Sequence, residues 1–201
     1  MCRFIETMRV EKGEIINLDF HRQRFEATRR HYWPGAEELS WQNVYAAVDA
    51  RLEKAKLRFL YDETSITEIS CTEYVQKDIC LLKLVRADGI SYPFKHSDRS
   101  ALEKLKAQQG DCDEILIVKD NHITDTSFTN VAFFDGKEWF TPDTPLLPGT
   151  RRASLIAQGR LKEREILADD LPTYSFIALF NAMIDLDELV LPLHEGCFTI
   201  R

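Results

Sequence analysis

The sequence has no apolar run long enough to span a bilayer, and no apolar core near its N-terminus of the kind a secretory leader needs. An excess of positive charge is also missing. Lys and Arg total 26 against 33 Asp and Glu, a net charge of -7, which argues against a nucleic-acid or anionic-membrane surface. Neither GxGxxG nor GxxxxGK[ST] occurs, so neither a Rossmann nor a P-loop nucleotide site is supported. No CxxC pair occurs among the cysteines Cys2, Cys71, Cys80, Cys112 and Cys197. Their odd number and wide spacing predict reduced, mostly buried thiols and no disulfide framework or zinc site. Cys112 lies among Asp111, Asp113 and Glu114, a setting that raises a thiol's pKa, so it reads as structural. There is no internal repeat and no low-complexity stretch. These absences lead to the expectation of a cytoplasmic protein with no metal and with neither nucleic acid nor membrane as partner.

What remains is a chain of 201 residues, 44% hydrophobic and 29% charged, enough for one large domain or two small lobes with a real core. The patterning predicts an α+β fold, with a small lobe over 1-88 and a larger lobe over 89-201. In the first, residues 4–10 and 15–16 flank the Lys12-Gly13 turn as a hairpin. Asn17 is placed to cap a helix over 18–32, which Trp33-Pro34-Gly35 closes. Leu18, His21, Phe25 and Thr28 or Arg29 share one face of it. Ser40 reads as the cap of a second helix reaching about Lys54, before strands at 56–61, 66–75 and 79–85. Beyond the Asp88-Gly89 turn come a helix over 98–109 capped by Ser97 or Asp98, and a strand over 114–119. A segment rich in hydroxyls follows over 123–130, then a hairpin over 131–141 and a helix from Gly149-Thr150 to about Gln158. Strands at 164–167 and 175–180 and a weakly patterned tail of two edge strands over 189–200 complete the reading.

Three features can carry chemistry. Lys95, in Tyr-Pro-Phe-Lys-His-Ser-Asp, is either a surface lysine beside a helix cap or an amine whose surroundings ease proton loss, as Schiff-base chemistry requires. Arg24 follows His21 by three residues and either snorkels over the apolar stripe or clamps an anion. Gly149-Thr150 opens a helix and Asn181-Ala182 ends a buried strand. Each offers backbone N–H groups to an anion, and each is also ordinary capping or turn chemistry.

Taken in order, Phe4-Ile-Glu-Thr-Met-Arg, His21-x-x-Arg24-Phe25, the Lys95 segment, Thr124-Asp-Thr-Ser-Phe-Thr-Asn130, Thr141-Pro142, Leu147-Pro-Gly-Thr-Arg-Arg152 and Asn181-Ala182-Met183 resemble the fold-type IV pyridoxal-phosphate enzymes, or class IV aminotransferases. The resemblance covers nearly the whole chain. It implies a two-lobed fold, pyridoxal 5'-phosphate as cofactor and a homodimer acting on a small amino-acid-like substrate. It gives Lys95 the covalent link to the cofactor and the proton shuttle at the substrate's α-carbon. Arg24, Gly149, Thr150, Asn181 and Ala182 would hold the phosphate. Asp125 stands where the family usually has a glutamate facing the pyridine nitrogen, and Asn130 would support the turn beneath the ring. Arg58, Arg86, Arg9 and Arg151 are candidates for a substrate carboxylate, Arg58 being equally a solvent-facing strand residue. Lys95-His96-x-x-Arg99 and Asn181-Ala182 look more like the branch that eliminates pyruvate from 4-amino-4-deoxychorismate to give 4-aminobenzoate for folate. A small aminotransferase for branched-chain or D-amino acids is the alternative, and a non-catalytic relative that binds a metabolite without turnover is a third.

Overall fold

The computed structural model describes residues 2–193 and 198–199. By contact the chain divides into two compact units, Met1–Val75 with Phe94–Asp98, and Gln76–Pro93 with Arg99–Arg201. The lysine segment, which the 88/89 division assigns to the larger lobe, therefore groups with the first unit.

In the first unit, β1 (Phe4–Glu11) turns at Gly13 into β2 (Glu14–Ile15). Helix α1 spans Leu18–Tyr32 and a short α2 spans Gln42–Ala46. The strands β3 (Lys54–Tyr61) and β4 (Ile66–Glu73) complete an antiparallel sheet in the order β2-β1-β3-β4. Alternation decides which face is buried. Phe4, Met8 and Val10 lie opposite Tyr61, Leu57 and Ala55 and are covered by Phe25 of α1 with Trp41 and Val44. Asn17 occupies the cap of α1 with its backbone in the left-handed region, and its carbonyl accepts from Phe20 and His21 while its side chain does no capping. Ser40 does not cap a long helix as expected. α2 stops after one turn, where Asp49 draws the Arg51 backbone N–H to its own carboxylate at 3.0 Å and offers the chain a local alternative to helix.

Phe4 is fully buried and touches the rings of Tyr32, Trp33, Tyr61, Phe94 and His96. The Ile5 N–H donates to the Lys95 carbonyl at 2.9 Å, and residues 4 and 96 form a bridge. β1 is therefore the rail to which the lysine segment is fixed. Phe4→Ala is expected to destabilise the protein by about 3–5 kcal/mol in urea denaturation. A loss near zero would show that this aromatic cluster holds nothing.

The second unit has β5 (Leu82–Arg86), α3 (Ser100–Lys106), β6 (Glu114–Lys119) and β7 (His122–Thr126). They are followed by β8 (Asn130–Phe134), β9 (Trp139–Pro142), α4 (Thr150–Ala157) and β10 (Lys162–Arg164). A 3-10 helix at Ala168–Thr173 precedes β11 (Phe176–Phe180), β12 (Val190–Pro192) and β13 (Phe198–Thr199). Two sheets result, in the orders β10-β9-β8-β11-β12 and β13-β5-β6-β7. β5 begins later than expected because the Cys80 and Leu81 N–H groups donate to the Asp113 carboxylate and not to a neighbouring strand. The cap position of α3 is Arg99, not Ser97 or Asp98, and the helix ends at Lys106 in turns through Gln109. The tail read over 189–200 lies partly outside the described residues, as does Cys197.

Among the described cysteines only Cys112 is buried, while Cys2 and Cys80 are exposed and Cys71 is intermediate. The expectation of mostly buried thiols is corrected accordingly. Among the described residues no helix is long and apolar enough to cross a membrane.

Candidate active site

Each unit gathers its own set of polar residues. In the first, β1 alternation turns Glu6 inward between Phe4 and Met8, where it has no exposure at all. A carboxylate in that position needs positive partners, and α1 supplies them one helical turn apart. His21 Nδ1 lies 2.8 Å from Glu6 Oε2, and Arg24 donates through Nε at 2.9 Å and Nη2 at 2.6 Å. Burial pushes the Glu6 carboxyl up, but the Arg24 charge and the His21 and Arg24 hydrogen bonds outweigh it and hold the group at about 2. His21 is pushed down, first by burial and then by the charges of Arg24 and Lys95, against the opposing pull of Glu6. Lys95 is thus within electrostatic reach of this cluster. Neighbouring His96 meets the Tyr32 hydroxyl at 3.3 Å.

In the second unit, β7 ends at a tight turn that the Thr126 hydroxyl braces by accepting the Thr129 N–H at 2.9 Å. Asp125 lies just before this turn, and Asn130 follows it at the start of β8. Both are buried. Asn130 Nδ2 donates to Asp125 Oδ1 at 2.8 Å and to the Leu147 carbonyl at 2.9 Å, while the Leu147 N–H donates to Asp125 Oδ2 at 2.9 Å. Burial is the main influence on Asp125 and pushes its carboxyl up to about 6, against these hydrogen bonds and the charge of Arg152. Two residues on, Gly149 presses its bare backbone on Asn130: a Cβ at Gly149 would come within 2.0 Å of Asn130 Oδ1. Gly149 is the cap of α4 and Thr150 its buried first residue, so Thr150 does not itself occupy the cap position.

At the end of β11, Asn181 Oδ1 accepts the N–H groups of Met183 at 2.8 Å and Ile184 at 3.1 Å, and its Nδ2 donates to the Phe128 carbonyl at 3.2 Å. The turn after β11 is thereby tied to the turn between β7 and β8, which Arg99 also holds through the Ser127 carbonyl at 2.8 Å. Arg151 is paired with Asp185 through both Nε, at 3.2 Å, and Nη2. That pair links the start of α4 to the Asn181–Asp185 turn.

The residues singled out from the sequence thus fall into two groups. Lys95 and Arg24 belong to the first unit; Asp125, Asn130, Gly149, Thr150, Asn181 and Ala182 belong to the second, as do Arg86 and Arg151. Arg58 is half-buried on β3 opposite Thr7. Arg9 bonds Glu11, and Arg86 reaches Asn121 at 3.4 Å. Sequence reasoning missed Glu6, the partner of both His21 and Arg24. The signal for it was present: the period-two stripe Phe4, Glu6, Met8, Val10 places a carboxylate on an apolar face.

Residues 3–186 match the Amino-transferase class IV family. An uncharacterized protein of Haemophilus influenzae is 37% identical over 91% of this chain and 98% of its own length. A crystal structure from Haemophilus somnus, described as a "putative 4-amino-4-deoxychorismate lyase", superposes with a TM-score of 0.86 at 34% identity, over 92% of this chain and 98% of that one. A Schizosaccharomyces pombe protein named "putative aminodeoxychorismate lyase" is 24% identical over 85% of this chain and 81% of its own. With its α+β architecture of mostly sheets and few helices, and a match over all but its ends, the chain is an enzyme of the class IV aminotransferase family, with the fold of the fold-type IV enzymes.

Proposed function

We propose that the protein is a pyridoxal-phosphate-dependent lyase that converts 4-amino-4-deoxychorismate into 4-aminobenzoate and pyruvate. The observation that carries the substrate is the similarity, at 34% identity over nearly both full lengths, to the Haemophilus somnus protein described by that activity. The donor set fits the cofactor. A buried carboxylate, Asp125, is already fixed by two donors. Gly149 gives bare backbone at the start of α4, and the Asn181 side chain closes its own turn with two bonds and ties it to the Phe128 carbonyl with a third. A cationic nitrogen ring needs such a carboxylate, and the start of α4 at Gly149-Thr150 offers a phosphate backbone N–H groups.

Asp125 would face the ring nitrogen, with Asn130 holding it in place. Gly149, Thr150, Asn181 and Ala182 would hold the phosphate together with Arg24. Bound there, pyridoxal phosphate supplies an electron sink for the charge left when the substrate's α-proton departs. Lys95 would carry the cofactor and take that proton. Arg58, Arg86 and Arg151 are the substrate-carboxylate candidates, of which Arg151 already has Asp185 as partner.

The assay that tests the substrate measures 4-aminobenzoate released from 4-amino-4-deoxychorismate with no 2-oxo acid present. Release in that mixture is expected. Turnover only with 2-oxoglutarate and an amino acid would make the protein a transaminase, and neither activity would leave a binding protein. We further propose a cytoplasmic homodimer, so gel filtration should give about twice the 23.3 kDa chain mass. A cofactor-loaded monomer would contradict this.

A further inference from the structure

The sheet of the first unit has two unlike faces. Phe4, Glu6, Met8 and Val10 of β1, with Ala55, Leu57, Phe59 and Tyr61 of β3, form one of them and are at most 1% exposed. On the other, Thr7, Arg9 and Glu11 lie directly opposite Arg58, Lys56 and Lys54, and all six are half-buried. Ser70 and Thr72 of β4 continue the rows of Arg58 and Lys56. The bridge between residues 4 and 96 and the Ile5 N–H to Lys95 carbonyl bond set Lys95 opposite Ile5. Strand alternation then puts Lys95 on the face of Thr7 and Arg58. Its backbone is two strand spacings and two residues from Arg58, about 12 Å.

The charge on this face is unbalanced. From β1 and β3 it holds the cations Arg9, Lys54, Lys56 and Arg58 and the single carboxylate of Glu11, in a chain of net charge -7. Arg9 and Lys56 face each other across the strands, an unfavourable pairing of like charges. Glu11 answers Arg9, and Lys54 lies over the Tyr74 ring. Among the described residues, Lys56 and Arg58 have no hydrogen-bond or ion-pair partner, and the Thr7 and Ser70 hydroxyls make no hydrogen bond. Two half-buried cations with hydroxyls beside them suit an anion. Of the other arginine candidates, Arg151 is held by Asp185, and Arg86 is exposed and bonds Asn121.

We propose that Arg58 and Lys56 hold the two carboxylates of the substrate, with Thr7 and Ser70 as hydroxyl donors, and that this pair selects doubly anionic substrates over singly anionic ones. The proposal deepens the lyase reading and rests on it: 4-aminobenzoate and pyruvate carry one carboxylate each, so their parent carries two.

The test is calorimetric titration of the cofactor-loaded protein with two probes. 3-(Carboxymethoxy)benzoate carries two carboxylates on a ring-and-ether frame, and 3-methoxybenzoate keeps the frame with one. The wild-type protein is expected to bind the first at least tenfold more tightly, the scale of one charge-assisted contact. Arg58→Gln and Lys56→Gln should each bring that ratio close to one. Lys54→Gln removes a charge from the same face outside the proposed pair and should keep the ratio. A wild-type protein indifferent to the second carboxylate, or an Arg58→Gln protein that keeps the full preference, overturns the proposal. So does a Lys54→Gln protein that loses the preference as fully, since the effect is then one of general charge. If Arg58→Gln does not fold, Lys56→Gln decides alone: a ratio near one supports the proposal, and an unchanged ratio overturns it. The lyase reading is tested apart from this, by 4-aminobenzoate release. Release with wild-type kcat/KM in Arg58→Gln overturns the inference and keeps the lyase. A preference for the diacid that Arg58→Gln abolishes, in a protein that releases no 4-aminobenzoate, supports the subsite and overturns the lyase reading.

Discussion

Gly149→Ala is expected to weaken pyridoxal phosphate binding at least tenfold and to destabilise the protein by about 1–3 kcal/mol, the usual range for forced overpacking. The backbone at Gly149 is extended, with φ at -70°, so alanine meets no conformational penalty there. The whole effect comes from overlap: the added methyl lies 2.0 Å from Asn130 Oδ1 and 3.2 Å from its Cγ. A side-chain tip can usually swing away from such a clash. Asn130 cannot do so freely, because its Nδ2 is bonded both to Asp125 and to the Leu147 carbonyl and the residue is 6% exposed. Moving it removes a donor from a buried carboxylate, which adds to the loss. Cofactor titration and thermal denaturation of the variant read the two effects separately. A variant with wild-type affinity and stability would show that Asn130 and Gly149 are not in this contact.

Asp125→Asn should separate stability from turnover. Burial raises the Asp125 carboxyl from 3.8 to about 6. A raised acid pKa means that the folded state holds its proton while the unfolded state has lost it. Below about pH 3.8 the group therefore has no effect. Between there and pH 6 the cofactor-free protein loses stability as pH rises, and above pH 6 the loss is constant at about 3 kcal/mol. Asparagine removes this slope at the expense of about one hydrogen bond, roughly 1 kcal/mol, because its amide must turn N–H groups toward Asn130 or Leu147. The cofactor-free variant at neutral pH should thus be at least as stable as wild type. Its turnover should fall by about 100-fold or more, the scale on which a preorganised electrostatic partner is missed, since a neutral amide cannot hold a protonated ring nitrogen. Equal turnover would remove Asp125 from the site. Glu6 works in the opposite sense: its carboxyl is held at about 2, so its favourable contribution is present above about pH 4.5 and is lost as pH falls through 2. Acid unfolding therefore reports on Glu6, and the decline between pH 4 and 6 on Asp125.

What could be read in advance depended on whether the signal was local. The α1 face was legible because His21, Phe25 and Thr28 recur at helical spacing, and all three are buried. β6 over Glu114–Lys119 was legible from its unbroken apolar run. Residues 40–54 were misread because helical spacing is weak evidence where an aspartate such as Asp49 can close its own turn. The start of β5 depends on Asp113, more than thirty residues away, and no window along the chain contains both. In the site, Asp125, Asn130 and Gly149 could be named by resemblance. The reason Gly149 has no side chain is its contact with Asn130, nineteen positions earlier, which only the fold brings about. The same holds for Arg24: the sequence offered solvent or an anion as its partner, and the structure gives it Glu6.

One covalent attachment, between Lys95 and pyridoxal phosphate, decides the proposed function. The protein, saturated with pyridoxal phosphate, is reduced with borohydride, digested and mapped by mass spectrometry. A single pyridoxyl adduct on Lys95, absent in Lys95→Ala, is the predicted result. An adduct on a different lysine, or none on a protein that nevertheless releases 4-aminobenzoate, would contradict it.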